Sequence, residues 1–198
     1  MSNILLYVSG SISAYKSCAL ISALVKKGHS VKVVASENAL KFVGKASFEG
    51  LSKNPLNTDV FDYAESEGAV SHITLSQKWA DIIVAYPASA NTINRLASGL
   101  ADNLFGQIFL ANNFEKPFLL APSMNENMLL HPATQSALKK LEEWGTVILE
   151  CGEGHLACGC EGKGRLMEPE EALKIIEKIL QTGNKLDVIS GVRLMKIL

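Results

Sequence analysis

Short apolar runs alternate with amphipathic helical windows along this chain, and that alternation constrains the fold more than any other feature. The runs fall at 4–8, 31–35, 81–85, 118–121 and 147–150. Val, Ile, Leu, Phe and Ala dominate them, without the regular polar alternation of a half-exposed strand, so they read as strands buried on both faces. The windows between them, 15–27, 90–98, 103–110, 133–144 and 170–181, carry helical periodicity. The first stops at Gly28 after two lysines and the last follows Pro169, which is how helices commonly end and begin. Strands separated by helices imply an α/β domain with a doubly wound parallel sheet. We expect one such domain over 1–182 and a tail at 183–198 whose structure the sequence leaves open. Segments 44–70 and 151–168 read as irregular.

The chain has 198 residues, enough to bury a core without staples. Its 19 Lys and Arg against 20 Asp and Glu, with no run of five like charges, leave no footprint for nucleic acid or an anionic membrane. The apolar stretches fall well short of the roughly 20 residues of a membrane span. The opening segment lacks a basic region and runs directly into Gly10, so it reads as a first strand and not a signal peptide, and a cytoplasmic compartment is expected. Four cysteines do not make a disulfide framework. Cys18 sits mid-helix and reads as core. Cys151, His155, Cys158 and Cys160 offer zinc-type donors, but Cys158-Gly159-Cys160 is too tight a spacing and lacks a distant partner pair, so no metal is expected.

Ligands of open α/β sheets sit beyond the carboxyl ends of the strands, which directs attention to the loops there. Strand one is followed by Ser9-Gly10-Ser11-Ile12-Ser13, a small-residue turn able to hold an anion on backbone N–H groups, and it is not G-x-G-x-x-G. Strand two is followed by Ser36, where a dinucleotide fold would place its ribose-binding carboxylate; Glu37 comes one residue later. Strand three is followed by Pro87-Ala88-Ser89-Ala90-Asn91-Thr92, in which Ser89 can cap a helix whose first N–H groups face a phosphate. A mononucleotide fits these loops better than NAD. Each loop alone is also what an ordinary turn or cap requires.

Two later loops complete a pattern: Ala121-Pro122-Ser123-Met124-Asn125-Glu126-Asn127-Met128, and Gly154-His155-Leu156-Ala157-Cys158-Gly159-Cys160-Glu161-Gly162-Lys163-Gly164-Arg165. With the Pro87 to Thr92 loop they resemble the flavin-containing cysteine decarboxylases. The stretch from Ala157-Cys158-Gly159 to Arg165 resembles the substrate clamp of the phosphopantothenoylcysteine decarboxylase branch, which the lantibiotic peptide decarboxylases lack. The resemblance spans roughly residues 3–181. It implies a flavodoxin-like (Rossmann-like) fold, bound FMN, and decarboxylation of 4′-phosphopantothenoylcysteine to 4′-phosphopantetheine for coenzyme A. It also implies a homotrimer or a multiple of trimers such as a dodecamer, with FMN at a subunit boundary, and a separate phosphopantothenoylcysteine synthetase as partner. Carried over by motif, Gly10, Ser11, Ile12, Ser36, Ser89, Ala90, Asn91, Thr92 and Ser123 would line FMN. Asn125 would hold the substrate carboxylate, with Met128, His155, Ala157, Lys163 and Arg165 around the substrate. Cys158 would be the proton donor and His72 the active-site histidine, matched through His72-Ile73-x-Leu75 shortly before Trp79-Ala80-Asp81. Apart from the resemblance, His72 reads as a surface or capping histidine.

These residue types suit the implied chemistry. A carboxylate derived from a simple amino acid has nowhere to place the electrons left when carbon dioxide departs. Oxidising the carbon that bears sulfur to a thioaldehyde provides that sink, and returning the hydride to the resulting enethiol needs an acid for the other carbon. A thiol such as that of Cys158 suits this step. Asn125 offers N–H without adding charge, and His72 could act as a base toward the thiol or as a partner of the carboxylate. Gly159, Gly162 and Gly164 permit a mobile flap, with Lys163 or Arg165 available for a phosphate. Leu129 and His131 depart from the family, which usually has tryptophan and asparagine there. Two other readings are a non-catalytic FMN-binding regulatory subunit of the same fold and a flavin prenyltransferase-like flavoprotein. Intact His72, Asn125 and Cys158 weigh against the first, and the clamp against the second.

Overall fold

The computed structural model describes residues 1–59, 71–112, 114–155, 159 and 161–182. Five parallel strands form the central sheet: β1 (Asn3–Val8), β2 (Ser30–Ala35), β3 (Ile82–Ala88), β4 (Phe118–Pro122) and β5 (Val147–Ile148), in the order β2-β1-β3-β4-β5. Ile4 pairs with Val31 on one side and Ile82 on the other, so β1 is an interior strand beside the central β3. Alternate side chains of a strand face opposite ways, and here both directions are apolar. Ile4, Leu6 and Val8 pack with Leu20, Ile21 and Leu24 of α1 (Lys16–Lys26) and Ile175, Ile176 and Ile179 of the C-terminal helix. Leu5, Ile83 and Ala85 pack on the other face with Ile93, Phe105, Ile108 and Leu138. This doubly wound α/β architecture is the flavodoxin-like arrangement expected from the sequence.

The remaining α-helices and strands are α2 (Lys45–Ser52), α3 (Ser71–Ile73), α4 (Ala90–Ala97), α5 (Leu104–Asn112), α6 (Glu126–Leu130), α7 (Pro132–Glu143), β6 (Gly152–His155), β7 (Glu161–Arg165) and α8 (Pro169–Thr182), with short 3-10 turns at Ile12–Tyr15 and Ala39–Lys41 and a π-helical turn at Thr74–Trp79. Gly28 follows α1 with φ of 85°, and Pro169 opens α8, as the punctuation indicated. Two expectations are corrected. Segment 44–70 contains α2, a helix with Gly50 near its middle and only Phe48 and Ser52 buried, too little apolar signal to reveal it. Segment 151–168 contains an antiparallel hairpin, β6 with β7, pairing Gly154 with Gly162 and His155 with Glu161. It consists of glycines and charged residues held by backbone pairing, so it lacks the apolar alternation that announces a strand. Among the described residues no helix is long and apolar enough to cross a membrane.

Candidate active site

Strand order reverses direction between β1 and β3, and α1 and α4 leave these strands toward opposite faces. Their loops therefore diverge, and a cleft of about 870 Å³ opens beyond the carboxyl ends of the strands. All nine residues predicted to line a cofactor, Gly10, Ser11, Ile12, Ser36, Ser89, Ala90, Asn91, Thr92 and Ser123, line this cleft, and so does Met128. Its size suits a mononucleotide-sized ligand.

The floor is fixed by short hydrogen bonds between loops far apart in sequence. Ser9 Oγ donates to the Pro87 carbonyl and accepts from the Ser89 N–H, each at 2.8 Å, which ties the loop after β1 to the loop after β3. Ser13 and Ser123 hydroxyls meet at 2.7 Å, and Ser11 lies 3.0 Å from Ser13 and 3.2 Å from Ser123. Ser89 caps α4, its Oγ accepting from the Thr92 N–H at 3.4 Å, so the N-terminus of α4 points into the cleft. Gly10 is required by a close approach: a Cβ there would lie 2.6 Å from Asn38 Cβ. Tyr7 closes the inner wall, stacked on Phe105 with ring centroids 3.7 Å apart, and burial pushes its phenol above the usual tyrosine range. The short 3-10 turn Ile12–Tyr15 capped by Ser11, the start of α4, backbone N–H groups and a hydroxyl cluster form a donor set suited to a phosphate and a polyol, so the residues present fit FMN.

Ser123, Met124 and Met128 of the loop after β4 also line the cleft, whereas Asn125, between Met124 and Met128, is not among its lining residues. Asn125 caps α6, its Oδ1 accepting from the Asn127 N–H at 2.9 Å, which sets the direction of its amide beside Met124 and Met128. The β6–β7 hairpin docks on this loop through the Met124 N–H, which donates to the Gly164 carbonyl at 3.1 Å. Lys163 Nζ lies 3.2 Å from Glu153, and Arg165 lies 3.5 Å from Glu168, so each cation meets a carboxylate. Arg165 borders a second cavity shared with Glu150, Glu153, Glu168 and Glu171. His72 does not line the cleft. It stands on α3 beside α5, its carbonyl accepts from Ser76 Oγ at 2.6 Å, and its buried Nδ1 finds no partner among the described residues. Ala157 and Cys158, the side chain of His155, and the tail at 183–198 lie outside the described residues. Among the described residues no three His, Cys, Asp or Glu gather as a metal site.

Several cleft residues carried no sequence signal. Tyr7 and Val34 are strand residues indistinguishable from core in the sequence. Arg95 stands in the last turn of α4 and pairs as an ion with Asp102, which with Asn103 comes from the segment between α4 and α5; only the folded chain brings these residues to the cleft. Phe42 arrives from the segment after β2, where the sequence singled out only Ser36 and Glu37.

The comparisons with known proteins agree with this geometry. The coenzyme A biosynthesis bifunctional protein CoaBC of Bacillus subtilis is 44% identical over 176 residues, covering 89% of this chain and 42% of that protein. The chain thus spans less than half the length of this bifunctional relative. A Streptococcus mutans protein named "Probable phosphopantothenoylcysteine decarboxylase" is 38% identical over 177 residues, covering 89% of this chain and 98% of that one. Among solved structures, a cysteine-to-serine variant of PPC decarboxylase complexed with pantothenoylaminoethenethiol superimposes with TM-score 0.82 and 32% identity, covering 91% of this chain and 98% of the other. The FMN binding protein AtHal3 gives TM-score 0.80 and 33% identity, covering 91% and 97%. The Flavoprotein family model matches residues 1–181, and the chain therefore belongs to the Flavoprotein family.

Proposed function

We propose that the protein is an FMN-dependent decarboxylase that converts 4′-phosphopantothenoylcysteine to 4′-phosphopantetheine in coenzyme A biosynthesis. The observation that carries this reading is the convergence on one cleft of the turn capped by Ser11, the start of α4 capped by Ser89, and Ser123, Met124 and Met128 of the loop that carries Asn125. Likeness over 91% of the chain to a PPC decarboxylase holding a pantothenoyl thiol supports it. The domain responsible is residues 1–182, a cytoplasmic unit.

Bound FMN supplies the two-electron acceptor that the substrate lacks. Gly10 to Ile12 and Ser89 to Thr92 would hold its phosphate and polyol through N–H and hydroxyl donors, with Ser36 and Ser123 beside them. Asn125 orients the substrate carboxylate through its amide N–H, which holds the anion without resisting its departure as neutral carbon dioxide. Met128 packs against the substrate. Cys158 delivers a proton to carbon at the end of the reaction, and His72 serves the first step as base or electrostatic partner.

Ile12, Phe42 and Met128 at the mouth of the cleft are 63%, 50% and 50% exposed, an apolar rim that suits a second copy of the chain. We assign the assembly as a trimer or a multiple of trimers, in which His72 reaches a neighbouring cleft. Its further partner is a phosphopantothenoylcysteine synthetase, an assignment that draws on the bifunctional relative. The test is incubation of FMN-loaded protein with 4′-phosphopantothenoylcysteine, read as carbon dioxide and the mass of the thiol product. Absence of both in FMN-saturated protein contradicts the reading.

A further inference from the structure

Glu126 follows Asn125 directly and opens α6, but its carboxylate turns away from the cleft toward the hairpin. Oε1 accepts the main-chain N–H of Lys163 at 3.1 Å. The Lys163 ammonium is engaged elsewhere, with Glu153 across the hairpin, so the backbone and not the side-chain charge is what Glu126 holds. The opposing residue is shaped for it. A Cβ on Gly162 would lie 2.7 Å from Glu126 Oε2, so an added methyl would push the carboxylate from its place against the strand. With the Met124 N–H bonded to the Gly164 carbonyl, this makes a two-point attachment between the asparagine loop and β7. A carboxylate accepting from a backbone N–H is among the stronger hydrogen bonds available to a partly exposed surface.

We propose that Glu126 is a positioning residue: its carboxylate latches the β6–β7 hairpin to the loop that carries Asn125, and Gly162 is the seat of that latch. This rests on the decarboxylase reading for its consequence. In the chain Cys158 falls between β6 and β7, so the latch ties the strand that follows the proton donor to the loop whose amide holds the carboxylate. The reprotonation step depends on it, while carbon dioxide release does not.

The test compares FMN-loaded Glu126→Ala, Glu126→Gln and Gly162→Ala with the parent. Tryptic cleavage after Lys163 or Arg165 reads the docked state without any need for activity. It should accelerate about tenfold in Glu126→Ala and Gly162→Ala, and stay near the parent rate in Glu126→Gln, whose amide oxygen still accepts. Under anaerobic single turnover, carbon dioxide release should be unchanged in all four proteins, with formation of the reduced thiol slowed about tenfold or more in the two alanine variants. The double variant should be no worse than either single one, because both remove the same contact. Parent-like cleavage and turnover in Glu126→Ala overturns the proposal, and so does loss of bound FMN in that variant, which would make the residue a general support of the fold. Should the parent itself release no carbon dioxide, the decarboxylase reading falls, and the proteolysis arm still decides the latch.

Discussion

The two sides of the cleft are built on different principles. The floor draws on the ends of β1, β3 and β4, and its contacts, such as Ser9 with Pro87 and Ser13 with Ser123, are buried and join loops about 80 to 110 positions apart. The hairpin side is largely exposed, and four of the nine residues in its two strands are glycines, Gly152, Gly154, Gly162 and Gly164. Its roots are anchored: Cys151 Sγ donates to the Pro122 carbonyl at 3.4 Å, and Tyr86 Oη donates to the Met167 carbonyl at 2.5 Å. A floor fixed by the core suits a cofactor that stays; a rim hinged on one buried and one part-buried contact suits a substrate that comes and goes. Lesions in the floor should therefore cost cofactor, and lesions in the rim should cost turnover with the cofactor in place.

The largest effect is expected at Gly10. Valine there drives its Cβ into Asn38 and should lower FMN affinity by about 100-fold or more, read by titrating apoprotein with FMN. Retained yellow protein with parent-like affinity would break the distinction between floor and rim. Next comes Asn125→Asp, which sets one carboxylate against another. FMN content should hold while carbon dioxide release falls roughly 1000-fold. A parallel loss of FMN would assign Asn125 to the floor.

The smallest effect concerns the roots of the hairpin. Burial pushes the Cys151 thiol up to about 12, and burial likewise raises the Tyr86 phenol. Both groups are neutral in the folded protein below pH 9, so they leave stability independent of pH there. As pH rises past the unfolded thiol value near 9 the unfolded chain releases protons that the folded one retains, and stability should fall, by at most roughly 1.4 kcal/mol per pH unit from Cys151, until about pH 12. Thermal unfolding at pH 8, 9, 10 and 11 checks this, and Cys151→Ala should flatten the decline. A parent curve that stays level to pH 11 would mean that these roots are open to water.

Much of the floor was legible in the sequence because its chemistry is local. A cap such as Ser89 and a tight turn such as Gly10 to Ile12 sit directly after an apolar run, where the strand ends place them. The rim was harder to read. The hairpin is specified by backbone pairing among glycines and charges, which leaves no periodic trace, and α2 buries only Phe48 and Ser52. Arg95, Asp102 and Phe42 reach the cleft by tertiary folding alone. The family resemblance drew attention to Asn125 and the clamp, but Glu126 lies at a position the motif does not specify, and only its contact with Lys163 distinguishes it.

The most direct test of a floor that holds cofactor and a rim that finishes the reaction is Cys158→Ser under anaerobic single turnover. The variant should bind FMN as the parent does and release one carbon dioxide per bound substrate. It should form 4′-phosphopantetheine at least about 100-fold more slowly, because a serine hydroxyl is too weak an acid to replace a thiol. The enethiol should accumulate in its place, detected by mass. Formation of 4′-phosphopantetheine at the parent rate would show that the proton comes from elsewhere and would contradict the division of labour between the two sides of the cleft.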